Sequence, residues 1–268
     1  MIIAQLSDIH AAPDNDNLAR FDNALAWLTP LEPDVLVISG DLTDDHWRDG
    51  YSAIAARLET LSCRTLTLPG NSDDCAAMRA VWPSLAQEGP LHAVVDTPAL
   101  RVIGLDSTVD GSAAGSVAAH LDWLARQLDE ADGRQTLLFL HHHVFMSGIP
   151  SMDAAACRNA QALGGVLRHH PAKPLAIATG HVHRPAAGML AGIPAYICGS
   201  VCPANPLWLG GAHVPAVFDP PALMVHRLEN GTLASHLCSL TGEWPLTAYQ
   251  YNAANRMDYS AAMVSTSC

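Results

Sequence analysis

Seven side chains draw attention by their type and by where they fall: Asp8, His10, Asp41, Asn71, His141, His181 and His183. Each follows a short apolar run. "IIAQL" leads into Ser7-Asp8-Ile9-His10, "DVLVIS" into Gly40-Asp41, and "RTLTLP" into Gly70-Asn71. "TLLFL" leads into His141-His142-His143, and "LAIAT" into Gly180-His181-Val182-His183. One chemistry uses all seven: two divalent cations about 3.5–4 Å apart, held by oxygen and imidazole ligands from several segments, with one carboxylate between them. D-x-H and H-x-H at a strand end would put both side chains on one side, since side chains alternate with period two. A glycine just before Asp41, Asn71 and His181 lets backbone pass close to such a cluster. Asn71 offers a carbonyl oxygen as a neutral ligand and an NH₂ as a donor to substrate. With only two carboxylates the site stays positive and suits an anionic substrate. Taken singly, the residues have plainer readings: Asp8 as a turn residue, Asp41 as a helix cap, His141 as a buried histidine. "LPGNSDD" (residues 68–74) reads first as a turn, with Asp73 or Asp74 capping the next helix.

The elements that must position these residues are legible as alternating periods. Helical spacing runs over roughly 18–29, 50–61, 74–81, 118–130 and 154–169 between the apolar runs. Strand–helix alternation predicts an α/β fold with parallel pairings, in which ligands bind beyond the carboxyl ends of the strands. The second half changes texture. "AAGMLAG", "IPAYICGS", "PALMVHRLENG" and "TLASHLCSLTG" read as short strands, with a hairpin at "ENGT", and are expected to form a second sheet packed on the first. Loop 202–221 is rich in Pro and Gly, and 245–268 reads as an extended tail after a domain spanning 1–244. Trp27, Trp82 and Trp123 are expected in the core.

The chain has 268 residues and a net charge of −12, from 14 basic and 26 acidic residues. That balance opposes a nucleic-acid polymer as partner, because phosphate backbones need a basic surface. No apolar run approaches the roughly 18 residues that span a bilayer. "MIIAQLSD" has neither a basic region nor a small-residue cleavage site, so no secretory signal is read and a cytoplasmic protein is expected. Seven scattered cysteines, without a CxxC pair, fit free thiols in a reducing compartment. The fourteen histidines are more informative, because they cluster.

D-x-H, GD, GN, H and GHxH, in that order, resemble the signature of the calcineurin-like metallophosphoesterases. The likeness runs from about residue 2 to 183 and more weakly to about 240. "RVIGLDSTVDGSAAGSVAAHLDWLARQL" and "MSGIPSMD" make it most similar to the branch containing class III cyclic nucleotide phosphodiesterases and glycerophosphodiesterases. The resemblance implies an α/β fold of four layers, α/β/β/α, in which two mixed sheets are flanked by helices. It implies one cation on Asp8, His10, Asp41 and His183, and a second on Asp41, Asn71, His141 and His181, with Asp41 between them. It also implies a homo-oligomer. The mixed N and O donors suit Mn, Fe, Zn or Co.

The expected activity is hydrolysis of small phosphodiesters by a hydroxide held between the cations, without a covalent enzyme intermediate. Asn71 would stabilise the phosphoryl oxygens, and His10 and Asp73 would orient ligands. Alternatives are a phosphomonoesterase or pyrophosphohydrolase of the same fold, or a binding scaffold with weak turnover; a nuclease is opposed by the charge. Relatives commonly read GNH where this chain reads Gly70-Asn71-Ser72. A serine hydroxyl cannot replace imidazole as a general acid near neutral pH. Ser72 is therefore assigned hydrogen bonding at most, and His143 or His213 is the candidate substitute acid. Trp208 is a candidate substrate contact from the loop over the site. "ICGSVCPANP" lacks a histidine common in the cyclic-nucleotide branch.

Overall fold

The computed structural model describes residues 1–44, 47–217, 219–240, 242, 247–251 and 257–261, the last two segments as backbone only. Asp44, Asp45 and His46 follow the GD motif and read from sequence as either a pocket rim or a solvated turn; Asp45 and His46 lie outside the described residues. In chain order the elements are β1 (Ile2–Leu6), α1 (Asn17–Leu28), β2 (Val35–Ser39), α2 (Arg48–Leu58), β3 (Arg64–Leu68), α3 (Cys75–Val81), β4 (Ala93–Asp96) and β5 (Leu100–Gly104). Then come α4 (Leu121–Asp129), β6 (Gln135–Phe139), α5 (Pro150–Asp153), α6 (Ala160–His169), β7 (Ile177–Thr179), β8 (Ala186–Leu190) and β9 (Ile193–Ile197). The chain continues with β10 (Ala222–Glu229), β11 (Thr232–Ser239), β12 (Thr247–Tyr251) and β13 (Met257–Ala261).

Two mixed sheets face each other. One has the order β11-β10-β1-β2-β3, the other β4-β5-β6-β7-β9-β8. Alternation along the strands sorts the side chains into layers. Ile3, Val35, Val37 and Leu66 meet Val102, Leu137, Phe139 and Ala178 between the sheets. Ala4, Leu6, Leu36 and Ile38 face outward onto Phe21 and Leu25 of α1, Tyr51 and Ile54 of α2, and Met78 of α3. On the far side Ile103, Leu138 and Ile177 pack on Leu124 and Leu128 of α4 and Leu163 and Leu167 of α6. This is the expected four-layer arrangement. Trp27 and Trp82 pack on one helical layer and Trp123 on the other.

Three expectations need correction. The second-half strands do not make a sheet of their own: β10 and β11 extend the first sheet beside β1, while β8 and β9 extend the second beside β7. The parallel strands are likewise divided, with β1, β2 and β3 in one sheet and β5, β6 and β7 in the other. The helix expected from 154 begins at 160, because the amides of Cys157 and Arg158 are taken by the carbonyls of His143 and Gly115 (both 3.0 Å). The segment read as an extended tail contains β12 and β13, paired antiparallel. The "ENGT" hairpin is present, with positive φ at Asn230 (49°) and Gly231 (76°), as a tight two-residue turn requires. No helix among the described residues is long and apolar enough to cross a membrane.

A polar chain ties the sheets together beneath the strand ends. Gln5 Nε2 donates to Ser39 Oγ (2.9 Å) and, across the sheets, to Thr179 O (3.1 Å). His226 is buried beside it, with Nδ1 2.8 Å from Ser235 Oγ. Burial, then His236, pushes the His226 imidazole down to about 4. The unfolded chain protonates near pH 6.5, so stability is complete above that value and is lost as pH falls toward about 4. The loss expected from this group is on the order of 3 kcal/mol. Urea unfolding of chelator-treated protein should show it, with a shallower acid slope in His226→Gln; equal slopes would clear His226.

Candidate metal centre

The sheets stop together, and the chain beyond them makes the site. The loops after β1 and β2 run side by side. Asp8 N donates to Gly40 O (3.0 Å), Ile9 N and His10 N donate to Asp41 O (2.8 and 3.0 Å), and Ala11 N donates to Leu42 O (3.0 Å). Five of the seven singled-out residues have left-handed backbones: Asp8 (φ 55°), His10 (49°), Asp41 (53°), His181 (73°) and His183 (55°). Such conformations cost roughly 1–3 kcal/mol each and gather at functional sites. They also correct the alternation reading. Strands β1 and β7 end at Leu6 and Thr179, so D-x-H and H-x-H lie past the pleat. Paired left-handed residues, not period two, turn each pair inward.

Two glycines allow the close approach. A Cβ on Gly70 would overlap the Asp41 carboxylate, and one on Gly180 would overlap Ser7 Oγ and stand 2.8 Å from Asp8 Oδ2. Gly180→Ala should therefore displace Asp8, lowering stability by about 1–3 kcal/mol and weakening cation binding there. Thermal melts and metal titration would check this; wild-type metal affinity in the variant would show that Asp8 has room to move.

The seven side chains converge. Ligand atoms of Asp8, His10, Asp41 and His183 lie within 4.8 Å of one another. His10 Nε2 is 3.0 Å from His183 Nε2, and His183 Nε2 is 3.4 Å from Asp8 Oδ1. Asp41 Oδ2 is 3.3 Å from both His10 Nε2 and His141 Nε2, joining two half-sites. In the second half, His141 Nε2 lies 3.2 Å from Asn71 Oδ1 and 3.2 Å from His181 Nδ1.

The outer faces of the rings indicate what the inner faces hold. His10 Nδ1 meets the Asp44 carboxylate, His141 Nδ1 donates to Ser39 O (2.8 Å), and His183 Nδ1 is 3.3 Å from Cys202 Sγ. Protons on those outer nitrogens leave lone pairs on the inner ones. Ring nitrogens facing each other at 3.0–3.2 Å, beside two carboxylates and an amide oxygen, form a donor set that fits cations. His181 is the exception, since its Nε2 is buried with no hydrogen-bond partner among the described residues.

The charges are interlocked. Burial pushes Asp41 up, but His141 and His10 hold its carboxyl well below the usual range. Burial opposes charging His141 and His183, yet Asp41 lifts the first to about 9, and Cys202 and Asp8 lift the second to about 10. Cation binding at these nitrogens therefore competes with protons. Burial, then Asp41, raises Asp73 to about 7. Its carboxylate accepts from Gly70 N (2.8 Å), Leu42 N (2.9 Å) and Tyr51 OH (3.1 Å), so it ties the Asp41 loop to the Asn71 loop. Asp74, not Asp73, caps α3.

The remaining candidates divide. Ser72 N donates to Asp41 Oδ1 (2.8 Å), but Ser72 Oγ is buried with no hydrogen-bond partner among the described residues. One ring nitrogen of His142 lies within 4.8 Å of those of His141 and His181, but its Nδ1 is taken by Ser107 Oγ (2.8 Å) and its Nε2 by Ala113 O (3.2 Å), and burial, then His141, pushes it down to about 3. His143 was expected to return toward the pocket as an acid. It is fully buried instead, stacked on His181 (centroids 5.6 Å apart, 21°) with Nε2 3.3 Å from Asp153 Oδ1. Trp208 Nε1 donates to Gly211 O (2.7 Å), and His213 is exposed on the same loop. Asp44, Cys202 and Asp153 are the partners the sequence did not single out in these roles. Asp44 lies three residues beyond Asp41 of the GD motif, whereas nothing in the spacing marks the other two.

A family model described as calcineurin-like phosphoesterase matches residues 1–185. A probable glycerophosphodiester phosphodiesterase of Arcobacter nitrofigilis is 26% identical over 266 residues, covering 91% of this chain and 96% of that protein. A probable cyclic nucleotide phosphodiesterase of Synechococcus sp. strain WH7803 is 29% identical over 260 residues, covering 88% and 95%. Among solved structures, a dimetal phosphatase from Danio rerio aligns with a TM-score of 0.63 at 15% identity, over 90% of this chain and 99% of that one. This last likeness is one of fold.

Proposed function

Because the chain belongs to the calcineurin-like phosphoesterase family, we propose that it hydrolyses small phosphodiesters at a centre of two divalent cations. The observation that carries the proposal is Asp41 Oδ2 standing 3.3 Å from an imidazole of each half-site. Asp8, His10, Asp41 and His183 would hold one cation, and Asp41, Asn71, His141 and His181 the other. When bound, such a pair supplies Lewis acidity and makes water more acidic.

The residues of the chain supply the rest. Asn71 turns its Oδ1 toward His141, which leaves its NH₂, on an exposed residue, to donate to a phosphoryl oxygen. Asp44 and Ser39 O hold His10 and His141 with their Nε2 lone pairs inward. His143, stacked behind His181, supports that ring. Ser72 contributes its amide to Asp41. Trp208 is kept as a substrate contact, on a loop whose Asn205 N donates to His183 O (3.3 Å). The two relatives, by their names, act on glycerophosphodiesters and cyclic nucleotides, and both classes are proposed as substrates. Mn, Fe, Zn or Co suits the mixed donors. A cytoplasmic homo-oligomer is proposed with this reading, and light scattering tests the assembly.

The test is a panel on metal-reconstituted protein: bis-p-nitrophenyl phosphate, p-nitrophenyl phosphate, cyclic nucleotides and glycerophosphodiesters. Faster turnover of diesters than of monoesters is expected. Preference for the monoester would move the assignment to a phosphomonoesterase, and no turnover of any ester by fully metallated protein would favour a scaffold.

A further inference from the structure

His183 is backed differently from its neighbours. The outer nitrogen of His10 meets a carboxylate and that of His141 a backbone carbonyl, but His183 Nδ1 meets the Cys202 thiol at 3.3 Å. Cys202 Sγ also lies 3.6 Å from Pro203 O. A thiol has one proton. If Nδ1–H donates to sulfur, S–H donates to Pro203 O, and His183 Nε2 keeps its lone pair toward Asp8 and His10. The backbone of the same segment grips the other side of the half-site. Cys202 N donates to Asp8 O and Val201 N to Ser7 O, both at 3.0 Å. Ser200 Oγ lies 3.4 Å from His183 O and 2.8 Å from Cys202 O. Cys202 is 3% exposed, so bulk water does not compete for the sulfur.

We propose that Cys202 is a positioning residue for the half-site of Asp8, His10, Asp41 and His183: its sulfur sets the tautomer and orientation of the His183 ring, and its amide holds the left-handed turn at Asp8. The proposal rests on the two-cation reading. It gives a buried thiol, far in sequence from D-x-H and 19 residues beyond His183, a defined role in cation affinity.

The test is calorimetric titration of Zn²⁺ into chelator-treated full-length protein: wild type, Cys202→Ala and Cys202→Ser. Wild type should take up two ions. Cys202→Ala should weaken one of them by about 10–100-fold and leave the other unchanged, the usual range for removing a partner behind a ligand. Cys202→Ser, whose hydroxyl can accept from Nδ1 and donate to Pro203 O, should recover most of the loss. Two sites of wild-type affinity in Cys202→Ala would overturn the proposal. So would a serine variant as weak as the alanine variant, because that would make the sulfur's bulk the cause. If Cys202→Ala does not fold, the serine variant decides alone: near-wild-type binding upholds the proposal and a weakened site overturns it. Failure of wild type to take up two ions would instead defeat the two-cation reading.

Discussion

Asp41→Ala should lose both cations and lower turnover of any phosphodiester by on the order of 10³-fold or more, since each Lewis-acid contact is worth several kcal/mol and each 1.4 kcal/mol is tenfold in rate. The reason is geometric. Asp41 Oδ2 is the atom shared by the two half-sites, 3.3 Å from His10 Nε2 and from His141 Nε2. Its charge is also what lifts both imidazoles against burial. Removing it leaves two clusters that are mostly imidazole and amide, with Asp8 as the remaining carboxylate. The variant also frees Ser72 N, which donates to Asp41 Oδ1 at 2.8 Å. Asp41→Asn keeps an acceptor for that amide, so metal content measured on both variants separates charge from loop collapse. Two retained metals would refute the shared role, and loss of one alone would confine Asp41 to a single half-site.

The second large effect concerns the leaving group. Ser72 stands where the resembled family commonly carries histidine, and its hydroxyl is buried with no hydrogen-bond partner among the described residues. Among the described residues neither candidate substitute stands in its place: His143 is fully buried against His181, and His213 lies exposed on loop 202–221. Hydrolysis should therefore fall steeply as the pKa of the departing alcohol rises, with nitrophenyl esters much faster than alkyl esters. Ser72→His should restore about 10²–10⁴-fold on alkyl esters, the usual worth of general acid catalysis, and change nitrophenyl esters little. A shallow leaving-group dependence in the wild type would mean that another group delivers the proton. Equal effects of Ser72→His on both ester classes would mean that the histidine binds phosphate rather than protonates.

Much of this protein can be read along one dimension. Short apolar runs ended by Ser-Asp, Gly-Asp, Gly-Asn, His-His-His or Gly-His mark β1, β2, β3, β6 and β7 within a residue or two, because a buried strand must be apolar and stops where a polar cluster begins. The order of motifs brought Asp8, His10, Asp41, Asn71, His141, His181 and His183 into one hypothesis, and the structure brings those seven together. These are properties of local pattern, and local pattern survives in sequence.

What tertiary structure decided depends on which segments meet. Sheet membership of β8–β11 turned on packing partners that no local period encodes. Residues 154–159 have helical spacing, yet contacts to His143 O and Gly115 O took the amides of Cys157 and Arg158, and the helix begins at 160. The left-handed turns that aim D-x-H and H-x-H inward are sustained by neighbouring loops and by the missing Cβ atoms of Gly70 and Gly180. His142 and His143 share residue type and neighbourhood with His141, but only three-dimensional contacts send one to Ser107, one to Asp153 and one to the centre. Cys202 behind His183 belongs to the same class. Which residues are candidate ligands follows from residue type and place on a strand end, whereas the orientation of each side chain comes from atoms that the fold brings from far along the chain.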